Sequence, residues 1–431
     1  MQTTKTHRTL FVLTLAYMAA LLTVLAVFGY TPGPDSDGYM TIARRCLDEG
    51  EPYPCTALIE GFPFLWNIGS INLIELSLWL TGSIMPLLVV FCVLKALTAL
   101  FTALIAERLI GGRTAVAAML LYMLYPNNWG QGTLLLSELP MVFFSVAAVY
   151  VATGKPSTAR LAAAGVLLCV ANWFRPIAIL FLIAVALYYF VFFRRDAVRR
   201  ILLMAAGYAV TICIIGTESW SRTGYFIYQC DSFWYNMADD AYDGATPDAH
   251  FGEPLFKKGT PRYIEDMESK TCFECSDIWR ERCMAWLMSH KVEYLKKVPW
   301  RLYYMFCNDN DNATAFIPKA EKAVPGGASF CVPYRHALAQ WGSLSLAQRV
   351  ALMSTAAYYV VALMAVIGAA VLMRRKRWRA VMLPAAIIVI VTFATVFAVQ
   401  GETRFKAPFM PYVFMLAAAS LRLGRNENFE F

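Results

Sequence analysis

Two carboxylates lie one residue apart in the segment Asp35-Ser-Asp37-Gly-Tyr39, directly after the first long apolar run. Ionisable groups beside a membrane segment are costly to desolvate and indicate a functional site by default. A carboxylate within hydrogen-bond reach of a hydroxyl group can take its proton during group transfer. Asp37 is the better candidate for capping the following helix, so Asp35 is the candidate general base. Both aspartates are candidate catalytic residues.

A second charged segment, Glu402-Thr-Arg404-Phe-Lys406, precedes the last apolar run. Two cations beside a helix N-terminus are typical of an anion site, so Arg404 and Lys406 are candidate phosphate ligands. Arg175 lies in a turn between two short apolar runs, and its planar guanidinium group matches phosphate oxygens in pairs. The candidate substrate-binding residues are Tyr39, Glu138 and Glu402.

The composition is that of a membrane protein rather than a soluble one. Of the 431 residues, 58% are hydrophobic and only 16% are charged. The net charge of +8 does not indicate nucleic-acid binding, because many basic residues lie in short clusters between apolar runs, as membrane topology requires.

Windows of about 20 apolar residues predict ten membrane spans. They lie near 9–29, 84–106, 114–126, 134–153, 161–174, 177–193, 201–217, 352–373, 380–399 and 407–422. The first run is too long for a cleaved signal and lacks a cleavage site, so it is predicted to remain as an anchor. Alternate short loops carry 17 basic residues on one side and 5 on the other. The positive-inside rule then predicts cytoplasmic termini and an extracytoplasmic Asp35. The expected location is a bacterial inner membrane.

The predicted fold class is an all-α polytopic membrane protein with three parts. Residues 1–217 form a membrane module with a catalytic outside loop at 30–83. Residues 218–350 form an extracytoplasmic loop or small domain, and 351–431 form the C-terminal membrane helices. Apolar residues at helical spacing after Asp37 predict a helix lying on the membrane surface.

Most of the 11 cysteines fall in segments predicted to lie outside. In an oxidising compartment such a set favours disulfides, and Cys46 with Cys55 is the most local candidate pair. No metal site is predicted from the cysteines, because the one Cys-x-x-Cys sequence has neither a second copy nor a nearby histidine pair.

Four sets of short motifs, in chain order, resemble those of the GT-C membrane glycosyltransferases, in the branch of protein O-mannosyltransferases and lipid A aminoarabinose transferases. They are Asp35-Ser-Asp-Gly-Tyr39; Gly61-Phe-Pro63; Tyr125-Pro126 with Ser137-Glu-Leu-Pro140; and Glu402-Thr-Arg404-Phe405 with Pro408 and Pro411. The resemblance implies a GT-C fold with about ten transmembrane helices and outer-face surface helices.

The resemblance also implies that a sugar moves from a polyprenyl-phosphate donor, with inversion, to a glycan, lipid or protein acceptor. Asp35 matches the catalytic aspartate of that family, Arg404 and Lys406 match its donor-phosphate contacts, and Glu138 loosely matches its second loop acid. The chain is short and lacks the large C-terminal soluble domain of many relatives, which leaves the acceptor open.

Cofactor use and function each have an open alternative. No cofactor is expected to be required, but Asp35-Ser-Asp37 resembles the metal-binding Asp-x-Asp of nucleotide-sugar enzymes, so Mg²⁺ or Mn²⁺ held by Asp35 and Asp37 is the alternative. The rival functions are a transporter or flippase for lipid-linked sugars and an O-antigen polymerase or ligase. A transporter would be expected to show inverted repeats with broken helices.

Overall fold

The computed structural model describes residues 2–33, 35–242, 258, 262–315, 341–398 and 401–421. Within these ranges the regular secondary structure is helical. The described residues contain one isolated antiparallel β-bridge, between Leu65 and Asp231, and no β-strand. The predicted all-α class is confirmed.

The α-helices, numbered along the chain, are α1 Gln2–Phe28, α2 Ser36–Glu49, α3 Thr56–Gly61, α4 Ile68–Thr81, α5 Met85–Leu109, α6 Gly112–Leu124, α7 Glu138–Ala152, α8 Thr158–Phe174, α9 Ile179–Thr223, α10 Phe233–Tyr242, α11 Cys272–Ser289, α12 Lys291–Phe306, α13 Leu346–Arg374, α14 Trp378–Ala398 and α15 Met410–Ser420. Short 3-10 helices lie at Pro126–Asn128, Gly130–Thr133, Pro176–Ala178, Met267–Ser269, Trp341–Ser343 and Thr403–Lys406.

Five of the described helices, α1, α5, α9, α13 and α14, are long and apolar enough to cross a membrane. A sixth is added if Pro126–Thr133 and Glu138–Ala152, which meet at 114°, are one broken span. Helices α4, α6, α8 and α15 are apolar but shorter. Within the described residues, each of the ten predicted segments overlaps a helix over most of its length. A multi-pass membrane protein is therefore confirmed, while the count of ten stays a prediction.

Helix α9 contains two of the predicted spans and is broken at Arg194, where the backbone is not helical. The Arg200 guanidinium lies 5.4 Å from the Tyr189 ring centre. Residues eleven positions apart in a straight helix are separated by about 16 Å along its axis. The chain therefore bends at Arg194, and the two predicted spans are the two parts of a broken helix.

The loops predicted to share the basic side lie together at one end of the bundle. Three contacts at 2.8–2.9 Å join them: His7–Glu107, Arg108–Thr153 and Arg377–Ile110. We call this end the basic face and the opposite end, which carries Asp35, the site face. Which face lies outside the cell stays a prediction, and the basic residues Arg422 and Arg425 lie outside the described residues.

On the site face, α2 is the predicted amphipathic surface helix. Its buried residues recur at helical spacing: Ser36, Tyr39, Ile42, Ala43 and Cys46. The helix ends at Gly50, whose left-handed backbone (φ 72°) closes the last turn.

The segment after α9 has a small hydrophobic core of its own, which includes Tyr235 and Trp279 and which Phe64 of the first loop joins. The predicted boundaries at 217 and 350 fall inside helices, because α9 continues to Thr223 and α13 begins at Leu346. The three-part division itself stays a prediction.

Helix α15 lies in the middle of the bundle, and every one of its residues is buried. It packs closely against α13 at Gly368, where an added Cβ would lie 1.9 Å from the carbonyl oxygen of Leu416. Because that neighbour is backbone rather than a flexible side chain, the two helices can approach this closely only at a glycine.

We expect Gly368→Ala to destabilise the protein. The gain in helix propensity is about 1 kcal/mol, but displacing α15 costs about 1–3 kcal/mol or more. The readout is the apparent melting temperature of the purified protein in detergent. The matched control is Gly342→Ala, since a Cβ there meets open space. Equal melting temperatures for the two variants would contradict the close packing of α13 on α15.

Candidate active site

Asp35 occupies the position immediately before α2, which begins at Ser36. The prediction that Asp37 caps this helix is therefore wrong, because Asp37 lies inside the first turn, where it is exposed. Asp35 has the N-cap position, yet its side chain makes no capping hydrogen bond. Its carboxylate is directed to another part of the chain.

The partner of Asp35 is Arg404, 369 positions away. Arg404 Nη1 donates to Asp35 Oδ2 at 2.9 Å, and Arg404 Nε donates to Glu402 Oε2 at 2.6 Å. The side chains of Asp35 and Arg404 are 25% and 28% exposed, so the pair is open to solvent on one side. Burial lowers the pKa of Arg404, but Glu402, Asp35 and Glu138 outweigh it, and the net shift is upward.

Arg175 forms a second ion pair beside the first. It follows the last residue of α8 and precedes Pro176, and its backbone is extended (φ −153°, ψ 129°), as steric clash with a following proline requires. Its Nη1 lies 3.0 Å from Glu138 Oε1, and its Nε donates to Ser137 Oγ at 2.9 Å. The charged group of Arg175 is thus held at the start of α7.

A hydrogen-bond network joins this second pair to α2. Asn67 Nδ2 donates to the Tyr39 hydroxyl at 2.7 Å and to Ser137 Oγ at 3.1 Å. Burial and the nearby Asp35 raise the pKa of Tyr39 to about 12, so its hydroxyl keeps its proton at neutral pH. Neither Asn67 nor Ser137 is among the site residues predicted from the sequence, and Ser137 was marked only by its place in the motif with Glu138.

Phe405 lies between the two arginines. Its ring centre is 5.6 Å from the Arg404 guanidinium carbon and 5.8 Å from that of Arg175, which is within cation–π range. We call Asp35, Glu138, Arg175, Glu402 and Arg404 the ion-pair cluster. With all five groups ionised, it has two positive and three negative charges. Six of the predicted site residues, counting Tyr39, therefore meet at one place.

Lys406 has a different environment from the one predicted for a phosphate ligand. Its side chain is fully buried. Its ammonium group donates to the carbonyl oxygens of Met305 and Asn308 at 2.7 and 2.6 Å and lies 3.4 Å from Asp309. These contacts tie the Arg404 segment to the end of α12 and favour a structural role. Donor-phosphate binding by Lys406 stays a prediction that its burial disfavours.

Lys95 is buried within the bundle, where it donates to Asn128 Oδ1 at 2.8 Å and to Gln131 Oε1. It thereby holds the bent segment that leads to Ser137 and Glu138, which also favours a structural role. A cavity of about 30 Å³ extends among Lys95, Asn128, Glu138 and Arg404. That volume suits ordered water rather than a sugar.

The two aspartates of Asp35-Ser-Asp37 differ in their surroundings. Asp35 is paired with Arg404, whereas Asp37 is exposed on α2. Within the described residues, no three metal-ligating His, Cys, Asp or Glu side chains come together. A divalent ion held by these two carboxylates would take its other ligands from water or substrate, as Mg²⁺ commonly does. Metal use stays a prediction.

Cys46 and Cys55 are buried and both thiols are free. They lie against one another: a hydrogen bond with Cys55 raises the pKa of the Cys46 thiol and lowers that of Cys55 to about 7. The two side chains predicted to form a disulfide are therefore neighbours, and the covalent bond between them stays a prediction.

Comparison with known proteins gives little beyond this geometry. No protein-family model matches the chain, and no curated protein matches it. Among solved structures, it is similar to an oligosaccharyltransferase of Archaeoglobus fulgidus in the apo form, with 13% sequence identity and a TM-score of 0.49. The match covers 96% of this chain and 50% of that one, so the chain spans about half the length of that structure.

We expect Lys406→Met to destabilise the protein by about 3–5 kcal/mol, because it leaves the buried Asp309 carboxylate without its cation. The double substitution Lys406→Met/Asp309→Asn removes both charges and should recover part of the lost melting temperature. If Lys406→Met kept the wild-type melting temperature while donor binding fell, Lys406 would be a ligand rather than a structural residue.

Proposed function

We propose that this chain is a membrane glycosyltransferase of the GT-C type. It takes a sugar from a polyprenyl-phosphate donor at the extracytoplasmic face and transfers it, with inversion, to a glycan, lipid or protein acceptor. Asp35 is the general base, Arg404 holds the donor phosphate, and Tyr39, Glu138 and Glu402 line the substrate site. The proposal includes no metal ion and no nucleic acid.

The 2.9 Å pair between Asp35 and Arg404 carries this proposal. The motif resemblance predicts a base in the first loop and a phosphate ligand before the last helix, on segments at opposite ends of the sequence. Nothing local in either segment requires them to meet. Their meeting on the site face, with part of each side chain exposed, supports the assignment of both roles to one site.

The chemistry follows from the positions of these groups. The acceptor hydroxyl attacks the anomeric carbon of the donor sugar, and Asp35 takes the hydroxyl proton as the new bond forms. The bond between that carbon and the phosphate oxygen breaks on the opposite side, which inverts the configuration. The electron pair goes to the phosphate, whose growing negative charge is stabilised by the Arg404 guanidinium group.

Arg175 supports the site through other side chains. Its pairing with Glu138 and Ser137 fixes the start of α7, and Ser137 in turn contacts the Asn67–Tyr39 pair. Arg175 therefore orients the Glu138 and Tyr39 side chains beside the substrate site and adds a positive charge near the phosphate.

Transport of lipid-linked sugars and O-antigen polymerisation or ligation remain the rival functions. The described residues contain one strongly bent helix pair, Pro126–Thr133 with Glu138–Ala152. A transporter built from inverted repeats would be expected to have such a break in each repeat. Release of free polyprenyl phosphate by the purified protein distinguishes transfer from transport, since transport leaves the donor intact.

We expect Asp35→Asn to reduce transfer by at least about 100-fold, the lower limit for loss of a general base. The assay follows radiolabelled sugar from a polyprenyl-phosphate donor and the lipid phosphate that is released. Asp48→Asn is the matched control, because Asp48 is exposed on the same helix. A wild-type rate in Asp35→Asn, with its melting temperature unchanged, would remove Asp35 from the mechanism.

We expect EDTA to leave the transfer rate unchanged, because Arg404 supplies the charge that a metal would otherwise provide. The alternative, an ion held by Asp35 and Asp37, predicts a different pattern. Activity would be lost in EDTA, restored by Mg²⁺ or Mn²⁺, and reduced in Asp37→Asn as well as in Asp35→Asn. That pattern would replace the metal-free mechanism.

A further inference from the structure

The contacts of Arg404 suggest how the two proposed roles are coupled, and the inference rests on the proposed function. We infer that the donor phosphate and Asp35 compete for the same guanidinium group. Donor binding would then release Asp35 from Arg404 and make it free to accept the acceptor's proton. The donor would have to bind before the base becomes active.

The charge of the site favours such an exchange. Each cation of the ion-pair cluster already has a carboxylate partner: Arg404 has Asp35 and Glu402, and Arg175 has Glu138. With these groups ionised, the cluster has a net charge of −1, so a phosphate anion is not attracted to it as a whole. A phosphate can bind both donors on one edge of the Arg404 guanidinium group only if a carboxylate gives up its donor.

The geometry of the guanidinium group decides which carboxylate that is. A guanidinium group offers two edges to a phosphate, Nη1 with Nη2 at its end and Nε with Nη2 at its side. Asp35 accepts from Nη1, which belongs to the end edge, and Glu402 accepts from Nε, which belongs to the side edge. Nη2 donates to no group among the described residues. Two-point binding of phosphate therefore displaces one carboxylate or the other.

Asp35 is the carboxylate that the arrangement favours for release. Glu402 is two residues from Arg404 and pairs at the shorter distance of 2.6 Å, so it moves with the arginine and remains its partner. Asp35 belongs to a different segment and pairs at 2.9 Å. A phosphate on the end edge replaces Asp35 and leaves the Glu402 contact intact.

The exchange changes Asp35 from a hydrogen-bonded counter-ion to a free acceptor. While Arg404 donates to Oδ2, one carboxylate oxygen is occupied. When phosphate takes that donor, both carboxylate oxygens are free to accept the proton of the acceptor hydroxyl group. After transfer, the proton passes to water, the lipid phosphate leaves, and Asp35 pairs with Arg404 again.

The test is equilibrium binding of a sugar-free polyprenyl monophosphate to the full-length protein at fixed ionic strength. If Asp35 competes for Arg404, Asp35→Asn should bind the lipid at least about threefold more tightly, as expected for removal of a partly exposed ion pair. The same substitution should abolish transfer. Loss of turnover with tighter donor binding is a combination that a merely structural aspartate would not produce.

Four further variants test whether Asp35 acts through Arg404. Arg404→Gln should weaken binding, and adding Asp35→Asn to it should have no further effect, because the shared partner is gone. Arg404→Lys should bind more weakly than wild type, since an ammonium group offers no planar edge. Asp48→Asn should bind as the wild type does, which excludes a general effect of removing one negative charge.

Unchanged or weaker binding by Asp35→Asn would overturn the exchange, even if the variant is inactive and the proposed function stands. Tighter binding in Glu402→Gln but not in Asp35→Asn would overturn it too, since it would assign the phosphate to the side edge.

The proposed function itself fails if the wild type binds no polyprenyl phosphate and releases none from the sugar donor. Inorganic phosphate, used as a competitor of the lipid, tests whether the phosphate headgroup alone drives the exchange. Tighter binding of inorganic phosphate by Asp35→Asn than by the wild type would support the exchange. Equal binding by the two proteins would contradict it.

Discussion

The ion pair between Asp35 and Arg404 is the constraint on which the rest of the site depends. Two charges at a membrane surface are costly to desolvate separately, and pairing offsets that cost only when the geometry is good. The two residues are 369 positions apart, so the whole helical bundle must bring them together. α2 places Asp35 at its start, and the 3-10 helix Thr403–Lys406 places Arg404 opposite it.

Several contacts outside the pair fix these two segments. Gly401 lets the Arg404 segment approach α12 so closely that an added Cβ would lie 1.9 Å from the Arg301 carbonyl oxygen. Lys406 then ties the same segment to the end of α12. On the other side, Asn67 and Ser137 connect α2 to Arg175. The ion pair is thus held by buried polar contacts, while its own side chains remain partly exposed to substrate.

Much of the fold could be predicted from the sequence, because membrane helices appear as long apolar runs and surface helices as apolar residues at helical spacing. The buried side of α2, with Tyr39, Ile42 and Cys46, follows from helical spacing. A charge at the depth of Lys95 is costly without a partner, and Lys95 has two. The break at Arg194 follows from four arginines between two apolar runs.

The parts that sequence could not supply are those that depend on distant contacts. Asp37 was the better cap by position, but Asp35 lies before the helix and its side chain is drawn to Arg404 instead. Lys406 looked equivalent to Arg404, yet one side chain is fully buried against α12 and the other is open to solvent. Asn67 has no distinguishing neighbour in the sequence, and only its contacts with Tyr39 and Ser137 show its place.

The most direct test of the account is an experimental structure with a non-hydrolysable polyprenyl-phosphate sugar bound. We predict that the phosphate contacts the end of the Arg404 guanidinium group and that the Asp35 carboxylate, separated from Arg404, faces the acceptor side of the anomeric carbon. A donor bound at the basic face, or bound elsewhere with the Asp35–Arg404 pair intact, would contradict it.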